Sequence, residues 1–289
     1  MSTTAGKREG VQMAEDATGD RPGRGNGAPP GIDTSVAHPA RVYDYWLGGK
    51  DNFAADRKAA EEVIAIRPAM RRDIRANREM LRRAVRYLAA EAGIRQFLDV
   101  GTGIPTSPNV HEVVQGVTPE ARVVYVDNDP IVLSHARALL ASTPEGVTDY
   151  IDADLRDPGN ILEQAALTLD FAEPVAVVIV GTLHLITDDE DPYAIVARLM
   201  AATVPGSYLL ISHPAIDVEA ETAARVQTSY NQNVATTMTR RTRDEVARFF
   251  EGLEIQEPGV VQHHRWRPEP GVSVDDYEVP GWSVLGRKP

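Results

Sequence analysis
Phe97-Leu98-Asp99-Val100-Gly101-Thr102-Gly103-Ile104-Pro105-Thr106 reads as a short apolar strand that ends on an acid and turns through two glycines. Lacking a Cβ, those glycines let the backbone bend tightly and lie close to a ligand. A strand, a glycine turn and a helix form the nucleotide-binding corner of a parallel sheet. A tight turn with no ligand has the same local pattern, so the surrounding chain must decide between them.

Downstream the pattern repeats. Strands are predicted at 96–100, 122–127, 147–152, 175–180 and 207–212, with helices at about 108–115, 130–141, 158–169 and 191–202 between them. The run Val175-Ala176-Val177-Val178-Ile179-Val180 is unbroken and apolar, as in a strand covered on both faces. This alternation predicts an α/β fold, a mostly parallel sheet with helices on both faces. A helix is expected at about 217–236. Thr242-Arg243-Asp244-Glu245 is a capping box that opens another, ending near Gly252. Two last strands, about 259–266 and 282–286, would form a late hairpin at the sheet edge. His263-His264 falls in the first of them and reads as strand.

Upstream, residues 1–31 are rich in Gly, Pro, Asp and Arg and predict a disordered tail. Residues 32–94 are expected as an N-terminal helical cap, and 95–289 as the main domain. One helix runs from about 55 to 66 and stops at Pro68. The next, 69–92, carries Met70, Ile74, Leu81, Val85 and Leu88 as a buried stripe. Asn77-Arg78 lies within that stripe, points inward and needs a partner. Between Arg41 and Phe53 four aromatics surround Gly48-Gly49. This reads as a cap packed on the main domain, as a lid whose Tyr43, Tyr45 and Trp46 offer flat faces to a cation or an adenine, or as both.

Composition narrows the function. With 30 Lys+Arg against 42 Asp+Glu, the net charge of −12 opposes a general nucleic-acid surface. With no Cys, disulfides, thiolate metal sites and cysteine nucleophiles are excluded. No apolar run spans a membrane and no signal-peptide core begins the chain. A soluble cytoplasmic protein is expected.

Three acids fall where successive parallel strands end: Asp99, Asp127 and Asp154. Ligands of such sheets sit beyond those ends. Asp127 suits both ribose hydroxyls, and Asp154 an adenine amino group. Asp99 would repel a pyrophosphate, and Thr106 stands where a dinucleotide fingerprint has its third glycine. The corner therefore suits an ammonium, a sulfonium and an adenosine better than NAD.

Asp99-Val100-Gly101-Thr102-Gly103, Asp127 and Asp154-Leu155 together resemble the class I S-adenosylmethionine-dependent methyltransferases. More narrowly, Asp33-Thr34-Ser35, the stretch ARVYDYWLGGKDNF (40–53) and Asn77-Arg78 look like a bacterial methyltransferase family long catalogued as a domain of unknown function. The resemblance implies a Rossmann-like seven-stranded sheet with its last strand antiparallel. It implies S-adenosyl-L-methionine as cofactor. Asp99, Arg78 and the backbone of Gly101, Thr102 and Gly103 would then hold the amino-acid end. Asp127 would hold the ribose, Asn128, Asp154 and Leu155 the adenine, and Gly181 would line the methionine side. Pro105 departs from the many relatives with glycine there, and stiffens the turn. Tyr45 and Asn52 are carried over as lid or substrate contacts.

In Gly181-Thr182-Leu183-His184-Leu185-Ile186-Thr187-Asp188-Asp189, His184 is the candidate base, with Asp188 or Asp189 to orient it, as in small-molecule O-methyltransferases. The other reading is a histidine packed under the sheet edge against a carbonyl. His213 is a second candidate. No metal spacing is present. The Asn/Asp-Pro-Pro-aromatic turn of nucleic-acid amine methyltransferases is replaced by Gly-Thr-Leu-His. A small-molecule methyl acceptor, methylated at oxygen, is expected, with no nucleic-acid or membrane partner. A non-catalytic cofactor-binding regulator and an NAD-dependent oxidoreductase are the alternatives.

Overall fold
The computed structural model describes residues 33–132, 134, 142–274 and 277–289. The tail expected over 1–31 lies outside them. Of the helix expected at 130–141, residues 130–132 and 134 are helical and the rest is outside the described set.

Three helices come first: α1 (Pro39–Leu47), α2 (Ala54–Ile66) and α3 (Met70–Ala90). Then β1 (Gln96–Val100), α4 (Val110–Gln115), β2 (Arg122–Asp127), β3 (Val147–Asp152), α5 (Pro158–Ala165), β4 (Val175–Val180), α6 (Pro192–Ala201) and β5 (Tyr208–Pro214) alternate as expected. The chain ends with α7 (Ala220–Asn233), α8 (Arg243–Arg248), β6 (Glu254–Ile255), β7 (Val261–Gln262) and β8 (Gly281–Arg287).

The sheet order is β3-β2-β1-β4-β5-β8-β6, with β7 also paired to β8. β1 to β5 are parallel to their neighbours, and β8 is antiparallel to β5. It has eight strands rather than the seven expected, because one edge position is filled twice. β6 pairs with Arg287 and Gly286, while β7 pairs with Ser283 and Trp282 further along the same strand. The turn at Gly259 (φ 85°) separates the two pieces. The strand expected over 259–266 is thus only two residues long, and His263–Arg265 form a 3-10 turn instead.

Strand residues alternate between two cores, as a pleated sheet requires. Leu98, Val124, Val126, Val177 and Ile179 face α5, α6 and α8. Phe97, Val123, Tyr125, Ala176 and Val178 face α3 and α4. A third core joins Val42, Trp46, Val63 and Met70 of α1–α3 to Val226 and Tyr230 of α7. The expected boundary near residue 94 falls just after α3, whose C-terminal half covers the sheet while Met70 belongs to the third core.

Charged groups fix α1 to α2. Arg41 Nε lies 3.2 Å from Asp56 Oδ1, and both side chains are buried. Asp56 also accepts from His38 N–H and Phe53 N–H. Gly48-Gly49 is a built corner rather than a loose one. Gly48 (φ 88°) ends α1 in the left-handed region, and a Cβ on Gly49 would overlap the Asp44 carboxylate.

Candidate active site
A cavity of about 240 Å³ opens beyond the carboxyl ends of β1–β4, under α1, α3 and α7. Its floor is the opening glycine turn. Gly101 N–H donates to Val126 O at 2.7 Å, tying the turn to β2. Gly101 has φ 74°, and a Cβ there would collide with the Thr182 side chain. Gly103 (φ 68°) faces open space, so only its backbone conformation calls for glycine.

Asp127 is the hinge of the floor. Its Oδ2 accepts from Gly103 N–H at 2.8 Å and its Oδ1 from Asp129 N–H at 2.9 Å. Each carboxylate oxygen keeps a further acceptor position, the number two vicinal hydroxyls need. Burial raises its pKa, with the two N–H donors pulling the other way. Asp154 Oδ2 accepts from Asn128 Nδ2 at 2.8 Å, and Leu155 is buried beside it on the same wall. The charged end is Asp99, which is 4% exposed. Burial pushes its carboxyl up to about 7, against the pull of Arg78 and Thr102. Arg78 makes no ion pair with it among the described residues. It donates instead to Thr106 O (2.7 Å) and Pro108 O (3.2 Å), and so holds the loop after the turn. Arg78, Asp99, Gly101, Thr102, Gly103, Asp127, Asn128, Asp154, Leu155 and Gly181 all line this one cavity.

These residues fit an S-adenosyl-L-methionine. Asn77 donates from Nδ2 to Tyr43 Oη at 3.1 Å, but its Oδ1 is buried on the wall with no partner. An unpaired carbonyl oxygen and a buried carboxyl in one cavity call for a multivalent donor such as an ammonium. Sequence reasoning placed Asn77 inward but assigned it no role.

The lid residues are elsewhere. Tyr45 is not on the cavity; its hydroxyl donates to Glu61 Oε1 at 2.5 Å and Arg71 stacks on its ring. Asn52 donates to Asp44 Oδ2 at 2.8 Å and is a strut of the α1–α2 corner. Tyr43 and Trp46 do reach the wall.

His184 lies on the cavity, in a 3-10 turn after β4. Burial lowers its pKa to about 3, reinforced by Arg240 and Arg241, so the ring is neutral. Its Nδ1 has no hydrogen-bond partner. Neither expected acid orients it: Asp188 accepts from Arg241 at 2.6 Å, and Asp189 is exposed. His213 is off the cavity, fully buried, with Nδ1 at 3.0 Å from Pro214 O and Nε2 at 2.9 Å from Arg241. It is the packed, carbonyl-bound histidine. Tyr230, Arg240 and Met238 also line the cavity, and sequence reasoning gives no role to Arg240 or Met238. Gln227 and Asn231 brace them through Arg240 N–H and the Met238 backbone. Among the described residues no group of His, Asp and Glu is placed to hold a metal, and no helix is long and apolar enough to cross a membrane.

Comparison with known proteins agrees with this geometry. The S-adenosyl methyltransferase family matches residues 25–289. A DUF574 family protein of Streptomyces avermitilis has 46% identity and a TM-score of 0.86, covering 89% of this chain and 99% of its own. A protein of Thermobifida fusca YX described as a candidate methyltransferase has 42% identity and a TM-score of 0.83, covering 90% and 98%. At 13% identity and a TM-score of 0.50, the plantazolicin methyltransferase BpumL, solved with SAH, shares the fold over 87% of this chain and 96% of its own. No curated protein matches. A glycine turn backed by Asp99, an Asp127 that pins that turn and a match along nearly the whole described chain lead to one conclusion: this chain belongs to the S-adenosyl methyltransferase family, as a class I methyltransferase whose cofactor is S-adenosyl-L-methionine.

Proposed function
We propose that the chain transfers a methyl group to a small molecule, at oxygen, inside this cavity. The observation that carries the reading is His184, neutral and with Nδ1 unpartnered, on the same wall as the cofactor corner.

The cofactor supplies an activated methyl on a sulfonium. Asp127 accepts from the ribose hydroxyls, and Asn128, Asp154 and Leu155 border the adenine. Asp99, Arg78, Gly181 and the Gly101–Gly103 backbone hold the amino-acid end. The acceptor lies against Tyr43, Trp46, Ile74, Val226, Tyr230 and Met238, which exclude water from it. His184 accepts a hydrogen bond from the acceptor's hydroxyl and aims its oxygen. Arg240 and Arg241 oppose an imidazolium, so His184 acts by orienting the hydroxyl, and the proton that the oxygen loses on methylation leaves to bulk water. Most of the rate then comes from positioning.

The test is transfer of tritiated methyl from S-adenosylmethionine to a panel of phenols, alcohols and amines. Label is expected in an ether, reduced about 100-fold or more in His184→Ala, with cofactor binding retained. Label in an amine, or undiminished turnover in His184→Ala, refutes oxygen transfer aided by His184.

A further inference from the structure
Arg240 and Arg241 are adjacent in sequence and opposite in surroundings. The backbone here is tied as an extended segment: Arg241 N–H donates to Pro214 O and Ile216 N–H to Arg241 O. Successive side chains of an extended segment point to opposite sides. Arg241 turns into the protein and donates to Leu183 O, Ile186 O, Asp188 Oδ1 and His213 Nε2. Arg240 lines the cavity.

Arg240 has far fewer partners. Its side chain donates to Ala215 O at 2.9 Å, and its Nε is buried with none. It forms no ion pair among the described residues. Asp73, the acid whose charge it feels, is taken by Arg67 and Arg72. Burial, helped by Arg67, pushes Arg240 down to about 10, so it stays charged at neutral pH.

Arg240 is half-buried with its Nε enclosed, and a guanidinium so placed without a counter-charge is costly. A guanidinium offers a planar fork of N–H donors that matches a carboxylate or phosphate bidentately. Of the cavity's acids, Asp99, Asp127 and Asp154 belong to the strand ends, and Asp44 belongs to the α1–α2 corner, where it accepts from Asp51 N–H and Asn52 Nδ2. Arg240 is fastened to the His184 side instead: Thr239 N–H donates to His184 O at 2.7 Å, and Gln227 Oε1 accepts from Arg240 N–H at 2.8 Å. Val226, Tyr230 and Met238 line the same cavity and bring no negative charge.

We propose that Arg240 is the anion-binding residue of the acceptor site, so that the methyl acceptor carries a carboxylate or a phosphate. This rests on the methyltransferase reading and narrows its substrate class to acidic small molecules.

The test uses the full chain saturated with S-adenosylhomocysteine, with benzoate, phenyl phosphate and benzamide as probes, followed by ligand-observed NMR titration. Benzoate or phenyl phosphate is expected to bind at least about tenfold more tightly than benzamide, and the stronger of the two identifies the anion. Arg240→Met should abolish the preference and leave S-adenosylhomocysteine affinity unchanged. Arg240→Lys, which keeps the charge, should retain part of the preference and guards against a misfolded Met variant. Equal binding of the three probes, binding of none, or a preference that survives Arg240→Met overturns the proposal while the methyltransferase reading stands. A loss of S-adenosylhomocysteine affinity in the folded Met variant overturns it by placing Arg240 on the cofactor. If the wild-type chain fails to bind S-adenosylhomocysteine at all, it is the underlying reading that fails.

Discussion

Gly103 N–H donates to Asp127 Oδ2 at 2.8 Å, so the carboxylate at the end of β2 also holds the turn at the end of β1. Asp127→Ala should therefore do two things. It removes the proposed ribose acceptor, weakening S-adenosylhomocysteine about 10- to 100-fold, and it frees the Gly103 amide. Calorimetric titration reads the first effect and amide hydrogen exchange at 101–104 the second. Unchanged affinity would remove Asp127 from the cofactor site.

The two glycines of the turn should respond differently to alanine. Gly103→Ala meets open space and pays only for a left-handed φ, about 1–2 kcal/mol. Gly101→Ala pays that and also drives a methyl into Thr182. Urea melts should place Gly101→Ala clearly below Gly103→Ala. Equal losses would show that the turn gives way freely.

Asp99 predicts a pH dependence. Its folded pKa, about 7, is raised by burial above the ordinary 3.8. Between those values the folded chain keeps a proton that the unfolded chain has released. Stability from this group is present at low pH and is lost as pH rises through that window, at up to about 1.4 kcal/mol per pH unit. Asp99→Asn should flatten that slope in melts of the cofactor-free protein. Binding of the cofactor's ammonium favours the carboxylate, so wild type should release a proton on binding near pH 6. Calorimetry in buffers of different ionisation enthalpy detects this, and Asp99→Asn should not show it.

Arg241 is 1% exposed and bridges β5 to the turn that carries His184. Arg241→Met would leave two carbonyls and His213 Nε2 without a donor. A loss of about 3–5 kcal/mol is expected. Asp188→Asn, on the exposed side of the same contact, should cost under about 1 kcal/mol. Chemical denaturation of both variants checks the ordering.

The strands, and the gathering of Asp99, Asp127 and Asp154 on one cavity, are legible because their signals are local. β1 to β4 fall where apolar alternation puts them, and Asp99, Asp127 and Asp154 follow from strand ends. The cap was harder. Tyr43 and Trp46 are three apart on α1 and share the face toward the cavity, while Tyr45 is rotated away to Glu61. Counting aromatics does not reveal that rotation. Asn52 stands off the cavity because its partner, Asp44, is a carboxylate within the same corner. The Arg240-Arg241 division of labour was invisible, since it depends on Pro214, Leu183 and Ile186, far away in sequence. The edge strand was read as one piece because the break at Gly259 leaves the apolar spacing on either side intact.

The third core has a consequence for the order in which the chain matures. It joins Val42, Trp46 and Val63 to Val226 and Tyr230, and Ala37 bridges to Val234. During synthesis α1 and α2 emerge long before their partner helix exists, with apolar faces bare. β8, which sits between β5 and the β6/β7 edge, is made last of all. A chain that has been made as far as β5 already contains every strand beneath the cavity, yet it lacks α7, which carries Val226 and Tyr230, and the closing strand. Contacts so far apart in sequence form slowly. The cavity is therefore completed late in synthesis, when α7 arrives to cover the apolar faces of α1 and α2.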